Sequence, residues 1–205
     1  MREALSMAVD HLSLYQLTIE AGTAFGDRYA KGGLRGLPEE DLAADMYEAT
    51  QEICEAAGMA AYEVSNHAKP SAESRHNLIY WRYGDYAGIG PGAHGRITLN
   101  GQRYATDAWS NPVRWLAAAE SGSGEKLRDA IAHGDQADEY LMMGLRLHYG
   151  IDRRRYTALA GHDLPPEALM ELQDLGMIET DQTYLRATRQ GRTILNSILR
   201  ELIGG

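Results

Sequence analysis

The chain has 205 residues, of which 44% are hydrophobic, and a formal net charge of −9 with histidine neutral. This length accommodates one large domain or two small ones, each with its own core. Acidic residues outnumber basic residues in both halves, so we expect no nucleic-acid partner. The single cysteine, and the lack of any segment near the roughly 20 apolar residues of a membrane span, predict a cytoplasmic protein with at most peripheral membrane association.

The first third of the chain alternates between predicted strands, loops and one long helix. Residues 9–17 and 59–68 are typical of strands, and residues 38–58 have acids at the start and a glycine at the end, which are helix signals. This order predicts a parallel crossover unit, with functional residues at the carboxyl ends of its strands, including residues 15–20. Apolar residues at helical spacing predict a buried stripe on the helix, with Cys54 half-buried beside it: Leu42, Met46, Ala49, Ile53 and Ala57.

A glycine-rich segment and a hairpin follow. Residues 85–93 (DYAGIGPGA) predict a short strand that runs into a glycine turn, and residues 96–106 predict a β-hairpin around Asn100-Gly101. The glycines either let the backbone approach a flat or phosphate-bearing ligand, or simply turn the chain into the hairpin. The segment lacks the Gly-Lys-Ser/Thr ending of a phosphate loop.

The remainder of the chain predicts a connector and a small terminal domain. Residues 109–134 indicate a short helix and a flexible break, and the chain from residue 135 predicts three helices, a hairpin and a closing helix. This order is typical of a winged-helix-like domain. Its triple arginine at 153–155 would suit a DNA contact, but the surrounding acids favour a solvated face.

The most unusual cluster is HNLIYW, at residues 76–81. It brings His76, Asn77, Tyr80 and Trp81 together, and arginines are interleaved with these and nearby aromatic residues: Arg75, Arg82 and Arg96. Such residues make a platform for a flat conjugated molecule that carries carboxylates, because arginine matches acid groups in pairs of hydrogen bonds. The alternative is ordinary aromatic packing in the interior.

Three histidines fall in or near the polar segments of the predicted site, namely His67, His76 and His94. Neutral imidazole binds zinc, copper or haem iron, yet their spacing matches no standard zinc pattern. Each is otherwise a hydrogen-bonded loop histidine. These residues leave a ligand site and a structural role both open.

Segments across nearly the whole chain resemble the oxygen-independent coproporphyrinogen III oxidase family of radical SAM proteins. The segments that carry this resemblance are HLSLYQLTIEAGT, YEVSNHA, HNLIYW, YAGIGPGAHG and LMMGLRLHYGID. HNLIYW followed by GIGPGAHG resembles the HemW-like haem-chaperone branch more than the oxidase itself. The resemblance implies an α/β plus α+β fold: the C-terminal half of a partial radical-SAM (β/α)6 TIM-like barrel over 1–108, a connector over 109–134, and the family's winged-helix-like C-terminal domain over 135–205.

The resemblance also implies cofactors for the full-length parent: haem, S-adenosylmethionine and a [4Fe-4S] cluster. The residues that it assigns to the S-adenosylmethionine side are Tyr15, Gln16, Leu17, Ile89, Gly90 and Gly92. Those that it assigns to the tetrapyrrole side are Arg75, His76, Asn77, Tyr80, Trp81 and Arg82. Among these, His76 is the candidate ligand of the haem iron.

One departure limits the expected chemistry. The family holds its cluster with a CxxxCxxC loop, whereas this chain has only Cys54, so we expect a C-terminal portion that does not cleave S-adenosylmethionine alone. The expected function is that of a haem chaperone, which binds haem and passes it to a recipient haemoprotein. The alternatives are a portion of a genuine oxidase that performs oxidative decarboxylation in porphyrin biosynthesis, and a non-enzymatic winged-helix interaction module.

Overall fold

The computed structural model describes residues 1–17 and 19–204, and divides the chain into two compact units, Met1–Glu73 and Ser74–Gly205. Thr18, within the predicted strand end at 15–20, and Gly205, the last residue of the predicted terminal domain, lie outside the described residues. Both units mix helices and strands. Among the described residues, no helix has the length and apolar character needed to cross a membrane.

The Met1–Glu73 unit combines helices with a small antiparallel sheet. Its described elements are α1 (Arg2–Met7), β1 (His11–Ser13), α2 (Ala24–Ala30), α3 (Glu40–Ala56), β2 (Ala60–Ala61) and β3 (Asn66–Ala68). The sheet order is β1-β3-β2, and β3 pairs antiparallel with both neighbours. The predicted parallel crossover sheet is therefore wrong. The predicted strand over 59–68 instead breaks in two, and its second part folds back between β1 and β2.

Helix α3 confirms the predicted helix over 38–58, and it ends before Gly58, whose φ of +72° suits a glycine. The predicted buried stripe is wrong, because Leu42 and Met46 are both more than half exposed. Gln51 and Cys54 are the buried residues of α3, and β2 packs against this helix. Cys54 is fully buried instead of half-buried.

The Ser74–Gly205 unit begins with a short helix and a three-stranded sheet. The elements are α4 (Arg75–Trp81), β4 (His94–Leu99), β5 (Gln102–Ala108), α5 (Pro112–Glu120) and β6 (Glu125–Ala130). Strands β4, β5 and β6 pair antiparallel in that order. The predicted hairpin is confirmed, since Asn100 and Gly101 have φ angles of 51° and 81° between β4 and β5.

One local prediction in this region is wrong, and one strand was not predicted. The predicted strand over 85–93 is reduced to a single bridge between Tyr86 and Arg96, because its glycines form turns instead of an extended run. The predicted flexible break after α5 is confined to residues 121–124. Strand β6 follows it and pairs with β5, although its charged sequence EKLRDA gave no strand signal.

The last part of the chain confirms the predicted order of helices and hairpin. Its described elements are α6 (His133–Gly144), β7 (Ile151–Asp152), α7 (Arg153–Ala160), α8 (Pro166–Asp174), β8 (Ile178–Thr180), β9 (Tyr184–Ala187), α9 (Arg189–Thr193) and α10 (Leu195–Ile203). Strand β9 pairs antiparallel with β7 and β8, and β7 was not predicted. Fully buried aliphatic residues form the core: Leu141, Leu145, Leu147, Ile151, Leu164, Ile178, Leu185 and Ile198.

We predict that Gly150→Ala destabilises the protein more than Gly161→Ala does. Both glycines have positive φ angles, 71° and 79°, so alanine is strained at either position. A Cβ at Gly150 would lie 2.0 Å from the carbonyl oxygen of Leu185, whereas a Cβ at Gly161 meets nothing within 4 Å. We expect a free energy of unfolding about 1–3 kcal/mol lower for Gly150→Ala than for Gly161→Ala in urea titrations. Equal losses of unfolding free energy in the two variants would contradict this prediction, because they would show that β9 shifts to accommodate the added Cβ without a loss of stability.

Candidate functional site

The HNLIYW segment forms the exposed helix α4, whose start is fixed by Ser74. The Ser74 hydroxyl accepts a hydrogen bond from the Asn77 backbone N–H at 3.3 Å. His76 and Tyr80, four residues apart, lie on one face of the helix. The Tyr80 hydroxyl lies 3.1 Å from His76 Nε2, and the two rings are 4.8 Å apart in an edge-on arrangement.

A third ring extends this face. The Tyr86 ring lies 4.4 Å from that of Tyr80, again edge-on, and backbone hydrogen bonds between Tyr86 and Arg96 in both directions hold Tyr86. His76 is exposed, while Tyr80 and Tyr86 are half-buried. We call His76, Tyr80 and Tyr86 the aromatic row. The exposed imidazole of His76 lies at one end of this row, followed by the half-buried phenol rings of Tyr80 and Tyr86.

Arginine–aromatic contacts join the end of α4 to residues 145–150, the turn after α6. The Arg146 guanidinium lies 5.4 Å from the centre of the half-buried Trp81 ring. The second contact pairs an arginine at the end of α4 with a ring of residues 145–150. Arg82 Nε donates to the Tyr149 hydroxyl at 2.6 Å, and the Arg82 guanidinium lies 5.6 Å from the centre of the Tyr149 ring. We call Trp81, Arg82, Arg146 and Tyr149 the arginine–aromatic cluster. Each segment therefore supplies one arginine and one aromatic ring.

Arg155, from α7, stabilises the C-terminal end of α4. It donates hydrogen bonds to the carbonyl oxygens of Arg82 at 2.8 Å and Tyr83 at 3.1 Å. Carbonyl groups at a helix end lack partners within the helix and carry partial negative charge, so a cation is favourable there. Arg153 also donates to the protein, to the carbonyl oxygen of Asp181 at 2.7 Å. The predicted solvated face at 153–155 is confirmed for Arg154 and Arg155, which are exposed, whereas Arg153 is half-buried.

A polar network around Glu139 contacts the residues that follow α4. The Tyr83 hydroxyl donates to Glu139 Oε2 at 2.8 Å, and Arg96 donates to both carboxylate oxygens, with a shortest distance of 2.8 Å. Arg103 lies 3.8 Å from the Tyr83 ring centre and forms an ion pair with Asp85 at 2.5 Å. We call these five residues the Glu139 network: Tyr83, Asp85, Arg96, Arg103 and Glu139.

The network changes the proton affinities of its members. Burial alone would raise the pKa of Glu139, but hydrogen bonds from Arg96 and Tyr83 outweigh it and hold that pKa below its usual value. Burial, and then the hydrogen bond to Glu139, raise the pKa of Tyr83. The Arg96 guanidinium is thus already neutralised by Glu139, so we exclude it from the set of arginines available to a ligand.

The other two candidate histidines lie in different surroundings. His67 is 1% exposed, and neither ring nitrogen has a hydrogen-bond partner among the described residues. Burial lowers the pKa of His67, so its neutral form is favoured. It therefore cannot meet a ligand at the protein surface. His94 is exposed at the start of β4, with Nδ1 3.6 Å from Asp107.

The glycine-rich segment borders an open cleft of about 230 Å³. Gly88, Ile89 and Gly90 line one part of it, and Trp115 lines another. Ile89 is 86% exposed, and a Cβ on Gly90 would meet nothing within 4 Å. Gly92 is bound into the turn by its N–H, which donates to the Trp109 carbonyl at 3.0 Å. The cleft has room for a flat group beside the backbone.

The remaining residues assigned to the S-adenosylmethionine side lie in the Met1–Glu73 unit. Tyr15 and Leu17 are exposed and follow β1. Gln16 is also exposed, and its Nε2 donates weakly to the Ala43 carbonyl at 3.4 Å. These three residues are not part of a strand, contrary to the prediction for 9–17.

The described residues do not fit an iron–sulfur cluster. Such clusters need several cysteine thiolates, and Cys54 is the chain's single cysteine. Burial raises the pKa of the Cys54 thiol, which disfavours the thiolate that binds metals. Among the described residues, no group of three or more histidine, cysteine or acidic side chains is placed to hold a metal ion.

Several residues of the site were missed by the sequence reasoning. Arg146 and Tyr149 lie within LMMGLRLHYGID, a segment that carried the family resemblance but gave no assignment to single residues. Glu139 is one of the acids that surround the triple arginine at 153–155, and its local sequence does not distinguish it from the others. No local pattern indicates these contacts, because α4 and α6 are more than fifty residues apart in the chain.

Comparison with known proteins agrees with the resemblance. Residues 131–194 match the HemN C-terminal domain. The chain is 35% identical over 99% of its length to the mitochondrial Radical S-adenosyl methionine domain-containing protein 1 of Danio rerio, covering 48% of that protein. It is 36% identical over 97% of its length to Heme chaperone HemW of Escherichia coli (strain K12), covering 51% of that protein.

The structure is similar to that of the radical SAM enzyme coproporphyrinogen III oxidase (HemN) of Escherichia coli, with a TM-score of 0.71 at 15% identity over 98% of this chain and 49% of the enzyme. These matches show that residues 131–194 carry a HemN C-terminal domain and that the chain resembles part of the radical SAM proteins of the HemN and HemW type. The chain is HemW-like, with identities of 34% and 36% to two HemW proteins over nearly its whole length. The chain spans about half the length of the curated relatives it matches.

We predict that Glu139→Gln lowers the free energy of unfolding by about 1–3 kcal/mol at neutral pH, because Arg96 loses a charge-assisted partner. The pKa of Glu139 is lowered by folding, so its stabilisation is present above the unfolded pKa and is lost as pH falls through the folded pKa. The difference between wild type and Glu139→Gln should therefore shrink at acidic pH.

The matched control is Glu179→Gln, which breaks the exposed ion pair between Glu179 and Arg186. We expect it to cost roughly 0–1 kcal/mol. Denaturant unfolding of the three proteins from pH 7 to pH 3 provides the measurement. If Glu139→Gln is no more destabilising than Glu179→Gln, the Glu139 network is not a stabilising unit.

Proposed function

We propose that this chain binds haem at α4 and belongs to a haem chaperone that passes the haem to a recipient haemoprotein. One observation carries the proposal: the short helix α4 and the residues just after it bring the aromatic row together with Trp81 and Arg82. An imidazole, flat rings and guanidinium groups are the chemistry that an iron tetrapyrrole with carboxylate side chains requires. The likeness to Heme chaperone HemW supports haem as the tetrapyrrole.

Each residue of the proposed site has a distinct role. His76 is the proposed ligand of the haem iron, because its imidazole is exposed at the end of the aromatic row. Its Nε2 contacts the Tyr80 hydroxyl, so ligation through that atom requires the hydroxyl to move aside. Tyr80 and Trp81 offer ring faces for stacking, and Asn77 lies on the same helix. The proposed partners of the propionates are Arg75 and Arg82.

We propose that Tyr15, Gln16 and Leu17, with Ile89, Gly90 and Gly92, face S-adenosylmethionine in the full-length protein. The open cleft beside Gly88, Ile89 and Gly90 supports the second group, because a flat adenine could lie against this backbone. S-adenosylmethionine would supply a radical only with a reduced cluster, which this chain's residues do not fit. We therefore assign no redox step to the chain itself.

The domain division is part of the same proposal. Residues 1–108 would belong to the barrel, residues 109–134 to a connector and residues 135–205 to a winged-helix-like terminal domain. Large apolar residues exposed in the Met1–Glu73 unit support a barrel portion that needs further chain to cover it: Met7, Val9, Tyr15, Leu17, Phe25, Tyr29, Leu42 and Met46. The likeness to HemN over 98% of the chain supports the family fold.

A genuine oxidase is the second candidate, and the likeness to HemN is the observation that favours it. That likeness rests on 15% identity, whereas HemW proteins share 34–36%. The two functions differ in turnover by a full-length protein with its cluster rebuilt. Formation of protoporphyrinogen would establish the oxidase, and haem transfer without turnover would support the chaperone.

We predict that haemin added to the wild-type chain gives a shifted Soret band that saturates at a defined ratio. His76→Ala should change the Soret position and weaken binding about tenfold, equivalent to about 1.4 kcal/mol, because the proposed iron ligand is lost. His162→Ala is the matched control, since His162 is also exposed but lies between α7 and α8. Lack of a Soret shift in the wild type, or an identical spectrum in His76→Ala, would contradict the proposal.

A further inference from the structure

The arginines of the Ser74–Gly205 unit differ in what they contact. Four of them form ion pairs with carboxylates: Arg96, Arg103, Arg128 and Arg186. Arg82 and Arg146 do not, since no carboxylate among the described residues lies within 4.0 Å of either guanidinium. They are positioned by aromatic rings instead, in the arginine–aromatic cluster. Their positive charge is therefore not neutralised by an ion pair within the described part of the chain.

The contacts leave hydrogen-bond donors available on both arginines. Arg82 uses Nε for the Tyr149 hydroxyl, which leaves its two terminal nitrogens for a ligand. Arg146 contacts the Trp81 ring, and the described residues provide no hydrogen-bond acceptor for it. A guanidinium held against an aromatic ring loses little further freedom when it binds an anion, because its side chain is already ordered.

Both guanidinium groups lie beside the proposed haem-binding helix. Arg82 directly follows Trp81, and Arg146 contacts the Trp81 ring. Arg155, which also contacts this end of the helix, already donates to the carbonyl oxygens of Arg82 and Tyr83. Arg146 lies against the Trp81 ring and Arg82 against the Tyr149 ring, so the arginine–aromatic cluster provides two cations with free donors, which matches a flat ligand that carries two carboxylates.

We propose that Arg146 is a specificity-determining residue, which binds one propionate of the tetrapyrrole while Arg82 binds the other. This inference rests on the proposed haem-binding function and extends it to residues 145–150, within the part of the chain that matches the HemN C-terminal domain. That part then contributes directly to ligand recognition. The role requires the planar fork of arginine, since lysine offers only a point charge.

The test compares haemin with its dimethyl ester, in which both propionates are esterified, under the same detergent conditions. The proteins are the wild-type chain, Arg146→Gln, Arg82→Gln and, as a matched control, Arg154→Gln. Arg154 is an exposed arginine on α7 whose side chain has no contact with the arginine–aromatic cluster. We expect Arg146→Gln and Arg82→Gln each to weaken haemin binding about 5- to 10-fold and to leave ester binding unchanged.

The outcomes separate this inference from the function on which it rests. If the wild type binds neither ligand, the proposed function fails and the inference fails with it. If the wild type binds haemin but Arg146→Gln weakens both ligands equally, Arg146 acts only by supporting Trp81, and the inference is overturned. An effect of Arg154→Gln equal to that of Arg146→Gln would also overturn it, because general charge would then explain the loss. Arg146→Lys should recover only part of the haemin affinity.

Discussion

The contact on which the candidate site depends is the one between the Glu139 carboxylate and its two donors, Arg96 and Tyr83. Glu139 lies on α6, Arg96 on β4, and Tyr83 just beyond α4. This half-buried carboxylate thus links α6, the β4–β5 hairpin and the residues just after α4. Charge-assisted hydrogen bonds of this kind are short and directional, so they fix the distance between α4 and α6 more narrowly than apolar packing alone. At this distance Arg146 and Tyr149, just after α6, contact Trp81 and Arg82.

This arrangement explains how an exposed helix of seven residues keeps a defined position. A helix this short is unstable in isolation, because nucleation is unfavourable and few hydrogen bonds follow it. Ser74 caps its start, and Arg155 satisfies carbonyl groups at its end. The remaining side chains of α4 do not need to form a core, which leaves His76 free to face solvent. Three arginines around this helix contact aromatic rings or carbonyl groups instead of acids: Arg82, Arg146 and Arg155.

The sequence predicted those features that depend on neighbouring residues. Asn100-Gly101 specified the hairpin, and the acids before α3 with Gly58 after it specified that helix. Features that depend on distant partners were not predictable. The pairing of β3 between β1 and β2 and the addition of charged β6 to the hairpin arise from tertiary contacts that override local propensity. The aromatic residues of HNLIYW were visible in the sequence, but the role of Arg146 was not, because its contact with Trp81 joins segments far apart in the chain.

We propose that α4 and residues 145–150 form one ligand-binding face, built on the Glu139 network. Backbone hydrogen exchange, measured with and without haemin, tests this claim most directly, since amides that a ligand shields or rigidifies exchange more slowly. We expect slower exchange in residues 75–86 and 145–150 and no change in residues 163–187. Slower exchange confined to residues 163–187, or no change in residues 75–86, would contradict it.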